Sequence, residues 1–130
     1  KQLLEHLLRD FDLEDVATQR SETLSGGQRR RLEIARTMAS RPKVVLLDEP
    51  FAGVDPISIE SLQSAIRRVR DSGVAVLITD HNVRDTLELV DRAALIDRGT
   101  VLIEGTPSEI TADETARNRY FGDKFHYERR

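Results

Sequence analysis

Leu24-Ser25-Gly26-Gly27-Gln28, followed by Arg29 to Ser40, the apolar run Val44-Val45-Leu46-Leu47 and the pair Asp48-Glu49, is the stretch that decides the fold. Ser25 offers a helix N-cap with Gln28 three residues on, the capping-box pattern. The helix it starts is predicted to run to about Ser40, with Leu32, Ala35, Met38 and Ala39 on its inner side, and to end at Arg41-Pro42. Ser25-Gly26-Gly27 sets a hydroxyl and bare backbone N–H groups at a helix N-terminus, where unpaired donors and the helix dipole favour an anion. On its own the same triplet is an ordinary cap after a glycine turn. The unalternating run Val44 to Leu47 reads as a strand buried on both faces.

Asp48 and Glu49 fall at the carboxyl end of that strand, where open α/β sheets place their ligands. Two adjacent carboxylates repel each other unless they serve a cation or a water. Asp48 suits Mg²⁺, directly or through a water, and Glu49 suits polarising a water for in-line attack on a phosphate. A pair of solvated carboxylates at a strand end is the plainer alternative. His81, after a second strand-like run Ala75 to Thr79, is either a loop residue or a donor toward the same place. Asp55, before Pro56, reads as an N-cap with proline at the first helical position.

Outward from this centre, Leu3, Leu4, Leu7, Leu8 and Phe11 recur at helical spacing, so an amphipathic helix opens the chain. Asp12 to Glu22 is polar and is predicted to hold a short helix and a loop. Leu62, Ala65, Ile66 and Val69 stripe a helix that ends at Ser72-Gly73. Asn82 to Val90 is predicted to be helical. Ala93 to Ile96 and Val101 to Glu104 read as a hairpin turning at Arg98-Gly99. Thr106-Pro107-Ser108-Glu109 is a second capping box, and a helix and tail with Tyr120, Phe121, Phe125 and Tyr127 follow. Strand, helix, strand in this order implies a parallel α/β layer.

Composition narrows the classes. The 130 residues suffice for one modest core. The chain holds no Cys, which excludes disulfides and thiolate metal sites. A net charge of -3 argues against a nucleic-acid face. No apolar run approaches the length of a membrane span, and no signal peptide opens the chain. None of the 7 glycines begins a G-x-x-x-x-G-K-[ST] loop, the backbone cradle for nucleotide phosphates. With a start at Lys1 rather than Met, this suits a piece of a longer protein.

Taken in order, Leu24 to Gln28, Val44 to Glu49, Phe51 to Asp55 and Thr79 to His81 resemble the signature, Walker B, post-Walker-B and histidine-loop motifs of the ABC-type ATPases. The resemblance covers nearly the whole chain. It implies an α/β fold: part of a RecA-like P-loop NTPase core with a parallel sheet (42–110), the end of the helical signature subdomain (1–41), and a C-terminal helix and tail (111–130). In this family two subunits sandwich two nucleotides head to tail. The resemblance therefore implies that Ser25, Gly26, Gly27 and Gln28 contact the γ-phosphate held by a partner subunit. Asp48 (Mg²⁺), Glu49 and His81 would serve the ATP on their own subunit, and Asp55 would communicate across the dimer. Phe51-Ala52-Gly53-Val54-Asp55 departs from the commoner S-A-L-D wording but keeps its aspartate.

Arg29 to Arg36, Phe51 to Ser58, Ile78 to Arg84, Gly105 to Ile110 and Tyr120 to Phe125 look like the ATPase subunit of bacterial lipopolysaccharide export systems. Branched-chain amino acid importer ATPases share the arginine-rich helix and the Gly-Thr-Pro ending. The resemblance implies an ATP- and Mg²⁺-dependent ATPase on the cytoplasmic face of the inner membrane, partnered by a second copy and by transmembrane permease subunits. It implies no nucleic acid and no direct insertion in the membrane. Lacking the phosphate cradle, the isolated chain is expected to be inactive, and the role of a dimerising, signature-donating module is the alternative from another class. An ABC protein of DNA repair or translation is disfavoured, because no coiled-coil or tandem segment is present. For most of the side chains of Arg29 to Arg31 the plain reading is a solvated helix face. A sheet without the cradle's strand would leave unpaired backbone groups, so self-association or rearranged strands are expected.

Overall fold

The computed structural model describes residues 2–121. They fall into two compact units, the first ending at His81 and the second beginning at Asn82. In the first, α1 (Gln2–Asp10) is followed by two 3₁₀ turns, Glu14–Val16 and Ser21–Thr23. Most of α1 stays exposed, and the burial falls just beyond it on Phe11 and Leu13. Helix α2 spans Gly26–Met38, strand β1 Val44–Asp48, α3 Pro56–Asp71 and β2 Ala75–Thr79. Helix α2 stops short of the expected Ser40, and Arg41 before Pro42 takes a left-handed backbone (φ 52).

Strands β1 and β2 pair in parallel, from Val44 opposite Ala75 to Asp48 opposite Thr79. Such a pair needs a crossover, and α3 supplies it. Its Leu62, Ala65, Ile66 and Val69, the predicted stripe, are all buried. Val45 is buried as well, as expected where alternate residues of a strand share a face.

The opposite face is open. Val44, Leu46 and Leu77 are exposed, Leu46 by 71%. The expectation of a strand buried on both faces is thus corrected. A two-stranded sheet with one crossover helix has cover for one face only, so the run alternates in burial although it does not alternate in sequence. Nor do the strands join in a single layer: the described residues form two separate two-stranded sheets, β1–β2 and β3–β4.

The inner face of α2 also differs from expectation. Gly27, Arg31, Ile34 and Ala35 are buried, whereas Leu32 and Met38 are partly exposed and Ala39 is exposed. Ala35 is buried as expected, but Gly27 and Arg31 rather than Leu32, Met38 and Ala39 share its face, because α2 meets α3 at close range. A Cβ built on Gly27 would lie 2.6 Å from the Ser58 Cβ.

In the second unit, α4 (Val83–Leu87) is capped by Asn82 and is shorter than the predicted 82–90. The Leu89 and Val90 N–H groups both bond to the Thr86 carbonyl, a tightened last turn that ends the helix. Strands β3 (Ala93–Asp97) and β4 (Thr100–Gly105) form the predicted hairpin. Arg98 and Gly99 both have positive φ (48 and 78), the conformation two-residue hairpin turns require. Thr106 and Glu109 form the predicted capping box of α5 (Pro107–Ala112), with Thr106 N–H donating to Glu109 Oε2 at 2.7 Å. Gly105 leaves room for the box: a Cβ there would lie 2.7 Å from that same oxygen and 3.2 Å from the Glu109 Cβ. A short α6 (Glu114–Ala116) and a π-helical turn, Arg117–Phe121, follow. Phe125 and Tyr127 lie outside the described residues.

Candidate functional site

The end of β1 builds the first part of the site. Asp48 and Thr79 are paired across the sheet, and the Thr79 hydroxyl donates to Asp48 Oδ1. One residue on, the Glu49 N–H donates to the Thr79 carbonyl at 2.7 Å. Glu49 itself takes a left-handed backbone (φ 45), which costs a non-glycine residue about 1–2 kcal/mol. This conformation breaks the strand at the carboxylate. Conformations of this kind cluster where function demands a placement.

His81 comes from the neighbouring strand's end, and its Nδ1 lies 3.3 Å from Glu49 Oε1. Both side chains are exposed, His81 by 75%. With a proton on Nδ1 the ring donates to Glu49 and presents Nε2 outward; its doubly protonated form presents a donor there too. Parallel pairing of β1 with β2 is what brings together two residues so far apart in sequence.

Asp80, a residue to which the motifs in the sequence assign no role, holds this corner. Its side chain is 1% exposed, and its Oδ2 accepts the Phe51 N–H at 3.3 Å. Phe51 is buried. A buried carboxylate and a buried ring thus fix the loop after Glu49 to the loop before His81. The signal available in sequence was a third carboxylate, between Thr79 and His81, that no solvated helix face accounts for.

The second part is the start of α2. Ser25 and Gln28 form the full capping box: Gln28 N–H to Ser25 Oγ at 3.2 Å, Ser25 N–H to Gln28 Oε1 at 2.9 Å. The first-turn N–H groups of Gly26 and Gly27 have no intrahelical acceptor. Ser25 and Gly26 are exposed and Gly27 is buried. Gly26 faces the loop after β1, where an added Cβ would lie 3.0 Å from the Gly53 carbonyl oxygen. Gly53 has φ 68, so a glycine stands on each side of the approach.

Asp55 closes that loop as the cap of α3, accepting the Ser58 N–H at 3.0 Å. Its carboxyl is held below its ordinary value by the Ser58 hydroxyl first and the Ser58 N–H second. A lowered folded-state pKa means that the cap's electrostatic contribution is complete above the ordinary carboxylate range. It is lost as the pH falls through the folded value. Asp55→Asn keeps a good cap and removes that titration. The thermal midpoint of Asp55→Asn is therefore expected to fall less than that of the unaltered chain between pH 7 and pH 3. Parallel falls would contradict this.

Mg²⁺ is usually held by one or two carboxylates, with substrate phosphates and waters completing its shell. Asp48, exposed at the strand end and steadied by Thr79, fits such a minimal protein share. Among the described residues there is no cluster of three or more His, Asp or Glu side chains fit to hold a metal. A dedicated all-protein cage is not what this corner offers.

The ABC transporter family model matches residues 1–52. A probable ABC transporter ATP-binding protein of Azorhizobium caulinodans is 52% identical over 94% of this chain and 43% of its own length. The lipopolysaccharide export system ATP-binding protein LptB of Escherichia coli K12 is 50% identical over 92% of this chain and 49% of its own. An ATP-binding cassette of an ABC transporter, solved in its ADP conformation, superposes with a TM-score of 0.81 at 25% identity, over 95% of this chain and 51% of that one. In sequence and in fold the chain is thus similar to part of an ABC-transporter ATP-binding cassette. CbiO1 of Clostridium perfringens, part of an ABC transporter complex, gives a TM-score of 0.80 at 25% identity, covering 90% and 47%. The chain spans about half the length of the curated relatives it matches. Among the described residues no helix is long and apolar enough to cross a membrane.

Proposed function

We propose that this chain is the signature and Walker B portion of an ATPase subunit whose Mg-ATP hydrolysis drives lipopolysaccharide export. The observation that carries the catalytic part is the Glu49–His81 pair, 3.3 Å apart at the ends of two parallel strands. The exporter assignment is supported by relatives named for lipopolysaccharide export in Escherichia coli and Haemophilus influenzae, at 50% and 45% identity. It places the chain on the cytoplasmic face of a bacterial inner membrane, with a second copy head to tail and transmembrane permease subunits as partners. Residues 1–41 would then belong to the helical signature subdomain and 42–110 to the RecA-like core, with 111–130 a C-terminal extension.

In this reading Glu49 accepts a proton of a water as its oxygen attacks the γ-phosphorus in line, while the bond from that phosphorus to the β–γ bridging oxygen breaks and ADP leaves with its electron pair. His81, already against Glu49, orients the carboxylate through Nδ1 and offers Nε2–H to a γ-phosphate oxygen when the ring is protonated. Asp48 would hold Mg²⁺, which supplies charge neutralisation across the phosphates when bound. Phosphoryl transfer is helped mainly by positioning and electrostatics, so fixed donors matter as much as the base. Ser25 Oγ and the Gly26 and Gly27 N–H groups would supply them, with Gln28, to the γ-phosphate gripped by the other subunit. Asp55 would carry the state of one site toward the other.

Neither strand end nor the α2 N-terminus replaces the cradle that surrounds the β-phosphate. Calorimetric titration of the 130-residue chain with Mg-ATP is therefore expected to give no binding heat at millimolar nucleotide. Stoichiometric binding would overturn the division of labour proposed here.

A further inference from the structure

We propose that Arg31 is a positioning residue for the phosphate-facing end of α2, setting the place of Ser25 without itself meeting the nucleotide. The inference rests on the role proposed above for Ser25. It starts from a charge in an unexpected place. Arg31 is 8% exposed, although Arg29 and Arg30 beside it are exposed or half-buried. Its Nε–H donates to the Phe11 carbonyl at 3.0 Å, and its Nη1 donates to Ser61 Oγ at 3.0 Å.

Each partner belongs to a different element. Phe11 directly follows α1, so its carbonyl is one of those a helix end leaves without an intrahelical donor, and a cation suits that pole. Ser61 lies on α3. Gly27 and Arg31, one turn apart on α2, share a face, and their contacts advance together along α3, from Ser58 to Ser61. The seam thus has a close contact at Gly27 and a two-pronged bond at Arg31. A guanidinium offers two donors in a fixed planar fork to both acceptors at once, a geometry the single ammonium nitrogen of a lysine does not reproduce.

The distances make the seam consequential for Ser25. Arg31 lies six residues from Ser25, about 9 Å along the axis at 1.5 Å per residue. A tilt of about 6° with its pivot at Arg31 therefore moves Ser25 by about 1 Å, and a misplacement of that size can cost about 10²-fold in rate. Beyond Ser25, the Gly26 approach to Gly53 passes the same displacement to the loop that carries Asp55.

A double-mutant cycle for ATP hydrolysis in the full-length parent tests this. Arg31→Lys is expected to lower kcat by about tenfold, and Ser25→Ala to lower it as well. Combined, they are expected to lower it little more than Ser25→Ala alone, because residues acting through one contact are not additive. A role confined to stability predicts multiplied losses that follow the thermal midpoint, and that result overturns the proposal while leaving the role of Ser25 intact. An unaffected kcat in Ser25→Ala overturns the reading of Ser25 and the proposal with it. Should Arg31→Lys fail to fold, Ser61→Ala removes one prong and enters the same cycle: a loss hidden behind Ser25→Ala supports the proposal, and a multiplied loss overturns it.

Discussion

Glu49→Gln in the full-length parent is expected to reduce ATP turnover by about 10²–10⁴-fold, the usual contribution of a positioned general base. The substitution is nearly isosteric. Its amide oxygen can still meet His81 Nδ1, which lies 3.3 Å from Glu49 Oε1 in the unaltered chain. The left-handed backbone at this position (φ 45) is no harder for glutamine than for glutamate. What is lost is basicity, so Mg-ATP should still bind and ATP-bound dimers should accumulate. Steady-state hydrolysis and light scattering with ATP check both halves. Normal hydrolysis would remove Glu49 from the role of base.

Gly27→Ala carries the second large effect, on packing first and chemistry second. Its Cβ would stand 2.6 Å from the Ser58 Cβ and 2.9 Å from its hydroxyl, so α2 and α3 must part. Overpacking of this kind costs about 1–3 kcal/mol, and the parting falls at the first turn of α2, beside Ser25. Turnover and thermal midpoint in the full-length parent are both expected to fall. Ser58→Gly in the same chain removes the clashing atoms and is expected to restore part of the loss. An alanine variant with unchanged midpoint would show that the seam opens without cost.

What was legible in sequence was the local and the periodic. The Ser25 and Thr106 capping boxes, the Asp55-Pro56 helix start, the stripe from Leu62 to Val69 and the Arg98-Gly99 turn are each set by a few neighbouring residues. The structure forms them as expected. Partners far apart in sequence were not legible. Val44 to Leu47 is apolar throughout, yet only the face turned to α3 is covered, because cover depends on what else packs there. Arg31 lies inside a run that suits a solvated face, and only the Phe11 carbonyl beyond α1 and Ser61 of α3 make it a buried bridge. Asp80 needed the parallel register to reveal its hold on Phe51. At the site itself the motif order marked Ser25, Asp48, Glu49 and His81, and strand pairing then brought Asp48, Glu49 and His81 to one corner.

The central claim is that Ser25 and Glu49 of one chain serve different nucleotides. Mixed dimers of the full-length parent test it most directly. Subunits carrying Glu49→Gln mixed with subunits carrying Ser25→Arg should recover hydrolysis, since each such heterodimer keeps one site with both groups intact. Subunits carrying both changes, mixed with unaltered subunits, should form heterodimers with no intact site and show only the activity of the unaltered homodimers. The reverse pattern, with no recovery in the first mixture and active heterodimers in the second, would place both residues at one nucleotide and contradict the account.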